Sequence, residues 1–316
     1  MKIKILDRIS IGTDTPIDSL FELGEVECYQ STTKDELSER IADADVIIIN
    51  KVKIEREALL CAKRLKLICI FATGYDNVDL AAVRELGVAV CNVPAYSTDS
   101  VTTFTVATVL SLYTKLRQYN DFVRSGDYSR SPYPNSLTPV YHDLRGKTWG
   151  IIGGGNIGLS VARVADAFGA NVLLNKRNPI DAYRCVDLDA LCSKSDIITV
   201  HCPLTAETRN MINSEKIALM KPTVVLVNSA RGAVLDEEAV ANAIKSSKIA
   251  AFGCDVYSIE PFREDHPYYE IKEYDNVLLT PHAAWGSYEA RVRCIGIIKS
   301  NITAFLSGKI QNRVDL

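Results

Sequence analysis

Thr148–Arg177 reads TWGIIGGGNIGLSVARVADAFGANVLLNKR, and the fold turns on this stretch. Trp149, Ile151 and Ile152 make an apolar run that suits a buried strand. Gly153, Gly155 and Gly158 follow with the spacing G-x-G-x-x-G. Ile157, Val161, Val164, Ala165 and Phe168 then recur at helical spacing, Gly169 is placed to end that helix, and Val172–Leu174 suits a second buried strand. A glycine triplet alone also serves an ordinary strand-to-helix turn. Between a strand and a helix, with a second strand beyond, it predicts a dinucleotide site. The glycines allow a tight turn and close backbone approach, and the amides near Asn156 and Ile157 at the helix start would hold a pyrophosphate.

On the N-terminal side, Lys2–Leu6, Val26–Tyr29, Val46–Ile49, Leu67–Phe71 and Val88–Cys91 read as strands. Helices fit between them: one capped by Thr32 or Thr33, with Glu36 set for a capping box and an end near Ile41; one over Glu55–Leu60; and one over Leu80–Leu86, closed by Gly87. Thr98–Tyr119 reads as one long helix able to join two domains, and residues 125–142, rich in Pro, Ser and Tyr, as an ordered loop. Beyond the glycine unit, strands are expected over Asp196–His201, Val224–Asn228, Ile249–Asp255 and Val277–Thr280. Helices are expected from Ser214, over Asp236–Lys245 and over Ser287–Leu306. Strands alternating with helices predict an α/β protein with two parallel sheets.

A chain of 316 residues is long enough for two domains. Its apolar fraction of 47% and charged fraction of 24% are those of an ordinary globular protein. The net charge of −3, without a basic block, argues against nucleic acid and anionic membranes as partners. No apolar run reaches bilayer length, and the N-terminus lacks a signal-peptide pattern. Nine scattered cysteines, with no C-x-x-C and no Cys/His cluster at metal spacing, predict free and mostly buried thiols, no bound metal, and a cytoplasmic location.

Several segments together resemble the D-isomer-specific 2-hydroxyacid dehydrogenases: LRGKTWGIIGGGNIG, HCPLTAETRNMI, LVNSARGAVLDEEAVANAI, DVYSIEP and NVLLTPHAAW. ATGYDNVDL and NVPAYST extend the likeness into the first half, toward the glycerate dehydrogenase (hydroxypyruvate reductase) branch. The resemblance covers most of the chain in the right order. It implies two Rossmann-like domains: a flavodoxin-like substrate domain from residues 1–98 plus 287–316, and a dinucleotide domain over 99–286, with the active site in the cleft between them. It also implies a homodimer joined through the dinucleotide domains.

The resemblance further implies the reaction, hydride transfer between a nicotinamide cofactor and a small 2-keto acid such as glyoxylate or hydroxypyruvate. That chemistry needs a proton source for the carbonyl oxygen and a rigid grip on the carboxylate. His282, in TPHAAW, matches the catalytic acid–base, and an imidazole, with an ordinary pKa of about 6.5, exchanges protons near neutrality. Glu260, in SIEP, matches its carboxylate partner, which would fix the ring's tautomer. Arg231, in NSARG, matches the substrate arginine, whose planar fork suits a carboxylate. The amides of Thr73 and Gly74 are expected to help hold that carboxylate, Lys51 to face the cleft, and Tyr96 and Tyr75 to shape the side-chain pocket. Cys202, Pro203, Ser229 and Ala230 match positions lining the cofactor, and Asp255 would take the nicotinamide carboxamide. His201 is expected to matter through its backbone, and His142 and His266 to be surface residues.

NAD-specific units of this kind place Asp or Glu at the end of the second strand, on the ribose 2′-hydroxyl. Here Asn175, Lys176 and Arg177 occupy those positions, and Lys176 falls where the aspartate would be. Two cations there would attract a 2′-phosphate, so NADP(H) is expected over NAD(H). The alternative on the same fold is a dinucleotide-sensing binding protein of the corepressor type, which would keep the same residues.

Overall fold

The computed structural model describes all residues, 1–316. The chain divides into two compact units, Met1–Ser97 with Gly286–Leu316, and Thr98–Trp285. The first carries β1 (Lys2–Ile5), β2 (Glu25–Cys28), β3 (Val46–Ile49), β4 (Leu67–Ile70) and β5 (Ala89–Cys91). These strands lie in the order β2-β1-β3-β4-β5 and are all parallel. The β3 and β4 strands are buried at every position, as a sheet covered on both faces requires. The capping box forms as expected, Thr33 and Glu36 closing the start of the Lys34–Ile41 helix. Gly87 ends the Leu80–Leu86 helix in the left-handed conformation, φ 69°. The Tyr288–Leu306 helix returns the chain to this unit, with Ser287 as its N-cap.

The second unit carries β6 (Thr148–Ile152), β7 (Asn171–Asn175), β8 (Arg184–Cys185), β9 (Ile197–Val200), β10 (Val225–Asn228), β11 (Ala251–Cys254) and β12 (Val277–Leu279). They form one parallel sheet in the order β12-β11-β10-β9-β6-β7-β8. The chain starts at β6 in the middle, winds out to β8, then crosses back to β9 on the other side. Trp149, fully buried in β6, donates its indole N–H to Thr199 Oγ1 at 3.2 Å, so its one polar atom is satisfied.

The structure corrects one expectation and adds detail to two other stretches. Thr98–Tyr119 is not one helix: it stops at Tyr113, Lys115 takes a left-handed φ of 58°, and a second helix runs over Leu116–Arg124. The apolar spacing of 101–116 continued through the break, so periodicity alone could not show it. The loop at 125–142 contains a helical turn, Asp127–Arg130, and is pinned by the Tyr119 and Tyr128 hydroxyls, which donate to the Pro139 and Pro134 carbonyls. Between β7 and β9 the reading missed β8 and the Leu188–Lys194 helix. That helix was signalled by Asp187, its N-cap, which accepts from the Ala190 amide. It is also the reason for Gly150, where a Cβ would lie 2.6 Å from Leu191 and 2.3 Å from Ser195 Oγ.

Candidate active site

The sheet order of the second unit reverses between β6 and β9, and their C-terminal ends face a crevice at that switch point, the usual ligand position of open parallel sheets. The glycine turn leaves β6 there, and His201–Cys202–Pro203 leaves β9. The three fingerprint glycines answer to three different constraints. Gly153 has φ 100°, and a Cβ on it would meet the Cys202 amide nitrogen and the His201 carbonyl carbon, each at 2.6 Å. A Cβ on Gly158 would sit 1.9 Å from the Gly153 carbonyl oxygen, so the helix closes on the turn only through glycine. Gly155 meets nothing within 4 Å, so the fold itself does not exclude a side chain there. The space over Gly155 lies at the start of the Asn156–Ala167 helix, which no side chain caps. Open space beside uncapped amides is what a pyrophosphate needs, so these residues fit a dinucleotide.

Lys176 follows β7, and its aliphatic stem crosses Gly154, where a Cβ would meet its Cδ at 2.6 Å. Arg177 is exposed and close enough to Glu207 to lower that carboxyl's pKa, after the larger effect of the Thr205 hydroxyl. Cys202 is 9% exposed, and burial pushes its thiol up to about 11, so it packs as a small apolar residue. Pro203 is exposed beside it.

His282, Glu260 and Arg231 stand on three neighbouring connections of this unit. His282 Nδ1 lies 2.7 Å from Glu260 Oε2, and both side chains are about one-quarter exposed, at 24% and 28%. His282 holds a left-handed φ of 54°, a costly conformation for a residue with a Cβ. Asp255, at the end of β11, supplies the restraint: its carboxylate accepts the Thr280 hydroxyl at 2.6 Å and the Ala283 and Ala284 amides at 2.9 Å. Burial raises the Asp255 pKa, against these hydrogen bonds. Asp255, expected to take the nicotinamide carboxamide, thus braces the histidine loop from both sides. Glu260 Oε1 accepts the Tyr257 amide at 3.0 Å, and the Tyr257 hydroxyl donates to the Thr280 carbonyl at 2.8 Å.

Arg231 is reached by a turn that Asn228, fully buried, ties at both ends. Its Oδ1 accepts from the Ala230 amide at 3.0 Å, and its Nδ2 donates to the Arg231 carbonyl at 2.9 Å. Ser229 shares a 2.8 Å hydrogen bond with Thr105, and Arg231 Nη1 donates to the Ala230 carbonyl. Gly232 packs so tightly that a Cβ would lie 2.0 Å from the Tyr257 carbonyl carbon. The arginine turn therefore rests directly on the segment that leads to Glu260.

In the first unit Lys51 is exposed on the connection after β3, at the point where that sheet's order reverses. Buried Asp7 fixes this connection by accepting the Asn50, Lys51 and Val52 amides, and Asn77 Nδ2 donates to the Asn50 and Val52 carbonyls. The Thr73 hydroxyl is used internally, on the Val93 carbonyl at 2.8 Å, while no backbone acceptor takes the Thr73 or Gly74 amide. Tyr96 is 5% exposed and Tyr75 40% exposed.

One histidine departs from expectation. His266, expected at the surface, is 8% exposed and lies 3.0 Å from Glu237. A histidine before a proline in a charged segment gives no local sign of burial. His201, expected to matter more through its backbone than its ring, has a ring so enclosed that no protein atom bonds either nitrogen, and burial holds its pKa down to about 3. His142 is exposed, as expected. Sequence reading also missed Asn228, Glu237, Tyr257 and Gly232 as supports of the site. Each is recognisable only from what it touches.

A doubly wound parallel sheet with a dinucleotide turn at its switch point and a paired histidine and glutamate on adjacent connections defines a nicotinamide-dependent oxidoreductase. Residues 106–284 match the family described as D-isomer specific 2-hydroxyacid dehydrogenase, NAD binding domain. The chain is 36% identical to the hydroxypyruvate reductase of Blautia hydrogenotrophica over 100% of both chains. Among solved structures it is similar to an acyclic imino acid reductase in complex with NADPH and D-Arg, at TM-score 0.89 and 31% identity over 99% of this chain and 100% of that one. It is also similar to the D-lactate dehydrogenase of Aquifex aeolicus complexed with NAD and lactic acid, at TM-score 0.87 and 30% identity over 100% of this chain and 99% of that one. The chain belongs to the D-isomer-specific 2-hydroxyacid dehydrogenase family and is an enzyme of that class.

Proposed function

We propose that this enzyme reduces a small 2-keto acid to its D-2-hydroxy acid, with NADPH as the favoured cofactor. The observation that carries the reading is the 2.7 Å pair between His282 Nδ1 and Glu260 Oε2, set on connections next to Arg231. The nicotinamide, when bound, supplies a hydride. In the imidazolium form the ring donates Nδ1–H to Glu260 and gives its Nε2 proton to the carbonyl oxygen, which leaves the neutral ring still oriented by Glu260. Arg231 grips the carboxylate through its fork and steadies the charge growing on the carbonyl oxygen. Gly153, Gly155 and Gly158, with the Asn156 and Ile157 amides, hold the pyrophosphate. Cys202, Pro203, Ser229 and Ala230 line the cofactor. Met1–Ser97 with Gly286–Leu316 serves as the substrate unit, offering the Thr73 and Gly74 amides to the carboxylate, with Lys51 and Tyr96 as further contacts.

The substrate panel that tests this runs glyoxylate, hydroxypyruvate, pyruvate and phenylpyruvate against both cofactors. An added arm of pyruvate with methylamine checks imine reduction, the activity named for one structural relative. Turnover with none of them, while NADPH still binds, would leave the dinucleotide-sensing reading in its place.

The cofactor preference rests on Lys176 and Arg177 following β7 with no carboxylate beside them in the chain. A lower KM for NADPH than for NADH is expected, with a gap that narrows at high salt because the contact is ionic and partly exposed. Lys176→Asp should swing the preference to NADH. An unchanged KM ratio in that variant would sink the 2′-phosphate assignment.

The Leu116–Arg124 helix supports a homodimer. It buries no residue, and Leu116 and Val123 are 61% and 55% exposed. Tyr133, Leu137 and Val140 follow at 71%, 77% and 69%. Such a run of exposed apolar side chains suits a partner surface. No helix is long and apolar enough to cross a membrane. All nine cysteines are free, which suits the reducing cytoplasm.

A further inference from the structure

Glu237 and His266 are buried together, with side chains 10% and 7% exposed, and neither has a role in the chemistry above. Glu237 opens the Glu237–Lys245 helix. Its Oε1 accepts the Ser258 amide at 2.8 Å, and its Oε2 accepts the Ser258 hydroxyl and lies 3.0 Å from His266 Nε2. His266 Nδ1 accepts the Tyr268 amide at 3.1 Å, so that nitrogen carries no proton. The ring is therefore the neutral Nε2–H tautomer and donates to Glu237. Phe262 and Tyr268 pack against it with ring centres 5.0 Å away, and Tyr257 meets it edge-on at 6.0 Å.

A carboxylate taken out of water is costly unless donors surround it. Three converge on Glu237: the Ser258 N–H, the Ser258 O–H and the His266 Nε2–H. A network satisfied in this way tolerates little displacement of its members. What it fixes is the Tyr257–Ser258 dipeptide, and all three proposed catalytic groups hang from that dipeptide. The Tyr257 amide bonds Glu260, its hydroxyl bonds the Thr280 carbonyl ahead of His282, and Gly232, next to Arg231, packs on its backbone.

We propose that Glu237 and His266 are positioning residues, a buried clamp on Ser258 that sets the mutual geometry of Arg231, Glu260 and His282. The proposal rests on the reductase reading above, so its test needs one readout that does not depend on turnover. Kinetics come first. Glu237→Ala and His266→Ala should each lower kcat, by up to about 100-fold for a displacement near 1 Å. Glu237→Gln, which keeps the shape and one acceptor, should recover part of the loss. NADPH affinity, followed by its fluorescence, should stay within about twofold, because the glycine turn is outside the clamp; a purely structural role would erode both together. Ser258→Ala, which deletes one exposed donor, gives the same ordering at smaller amplitude should Glu237→Ala fold poorly. The independent readout is a crystal structure of Glu237→Ala or Ser258→Ala, in which the His282–Glu260 separation should lengthen or the pair become disordered. Native kcat in these variants, or an unchanged 2.7 Å pair, overturns the clamp. A wild-type enzyme that reduces no member of the panel refutes the reductase reading alone and leaves the clamp to be decided by that separation.

Discussion

His282 shows how much of one residue's behaviour is set by others. Its left-handed backbone is held by Asp255 and its ring by Glu260. Removing the ring should leave this scaffold standing, since Asp255 bonds the amides of Ala283 and Ala284 and the Thr280 hydroxyl rather than the imidazole. His282→Ala is therefore expected to cut kcat by roughly 10²–10⁴-fold while NADPH affinity is kept. A near-native kcat would remove His282 from the acid–base role. Arg231→Lys keeps the charge and loses the planar fork, and the proposed double duty of Arg231 predicts a higher KM for the keto acid and a lower kcat together. If kcat and KM stay native and only the melting temperature falls, the arginine is structural.

At the scale of the element, the helix break at Lys115 matters most. The Thr98–Tyr113 helix buries Val101, Val106, Val109 and Leu112, while the Leu116–Arg124 helix buries nothing. The left-handed turn at Lys115 swings the second helix's apolar residues away from the core that covers the first. A helix of nine residues is too short to hold itself together without packing; Tyr119 and Phe122 meet the rings of Tyr141 and Tyr128, and a second copy of the chain can cover the exposed Leu116 and Val123. Leu116→Lys with Val123→Lys should shift the protein from dimer toward monomer in light scattering. A wild-type protein that is already monomeric at micromolar concentration would dismiss that helix as an interface.

For the molecule as a whole, pH exposes the cost of enclosing His201. Burial lowers its folded pKa to about 3, against about 6.5 for an exposed imidazole. The unfolded chain thus takes a proton that the folded chain refuses, and stability present above about pH 6.5 is lost as pH falls toward the folded value. Asp45, Asp196 and Asp315 have pKa values lowered on balance by hydrogen bonds and cations that outweigh burial, so their contribution persists above about pH 4 and is lost only below it. Asp7 and Asp255, whose pKa values burial raises, favour the folded state as pH falls and so act in the opposite sense, and the His201 loss is therefore read as a difference: between about pH 6.5 and pH 4 the wild type should lose more melting temperature than a variant without the imidazole. His201→Phe has no ring nitrogen to protonate and gives up no hydrogen bond, so its melting temperature should be flatter over that interval. Equal slopes for the two proteins would show that His201 is not the titrating group.

What was local in the chain was legible in the sequence. Alternating apolar runs announced both parallel sheets, Thr33 and Glu36 a helix start, and Gly153, Gly155 and Gly158 a dinucleotide turn, because each depends on neighbours a few residues apart. His282, Glu260 and Arg231 were nameable as candidates through family resemblance, not through any spacing between them. The Lys115 break was hidden because apolar spacing continued across it. The burial of His266, the orphaned ring of His201, and the use of Asp255 and Glu237 as braces were decided by tertiary structure. Each depends on groups brought together from distant parts of the chain, as Ser258 and Glu237 are, 21 positions apart, and such proximity leaves no periodic trace in a sequence.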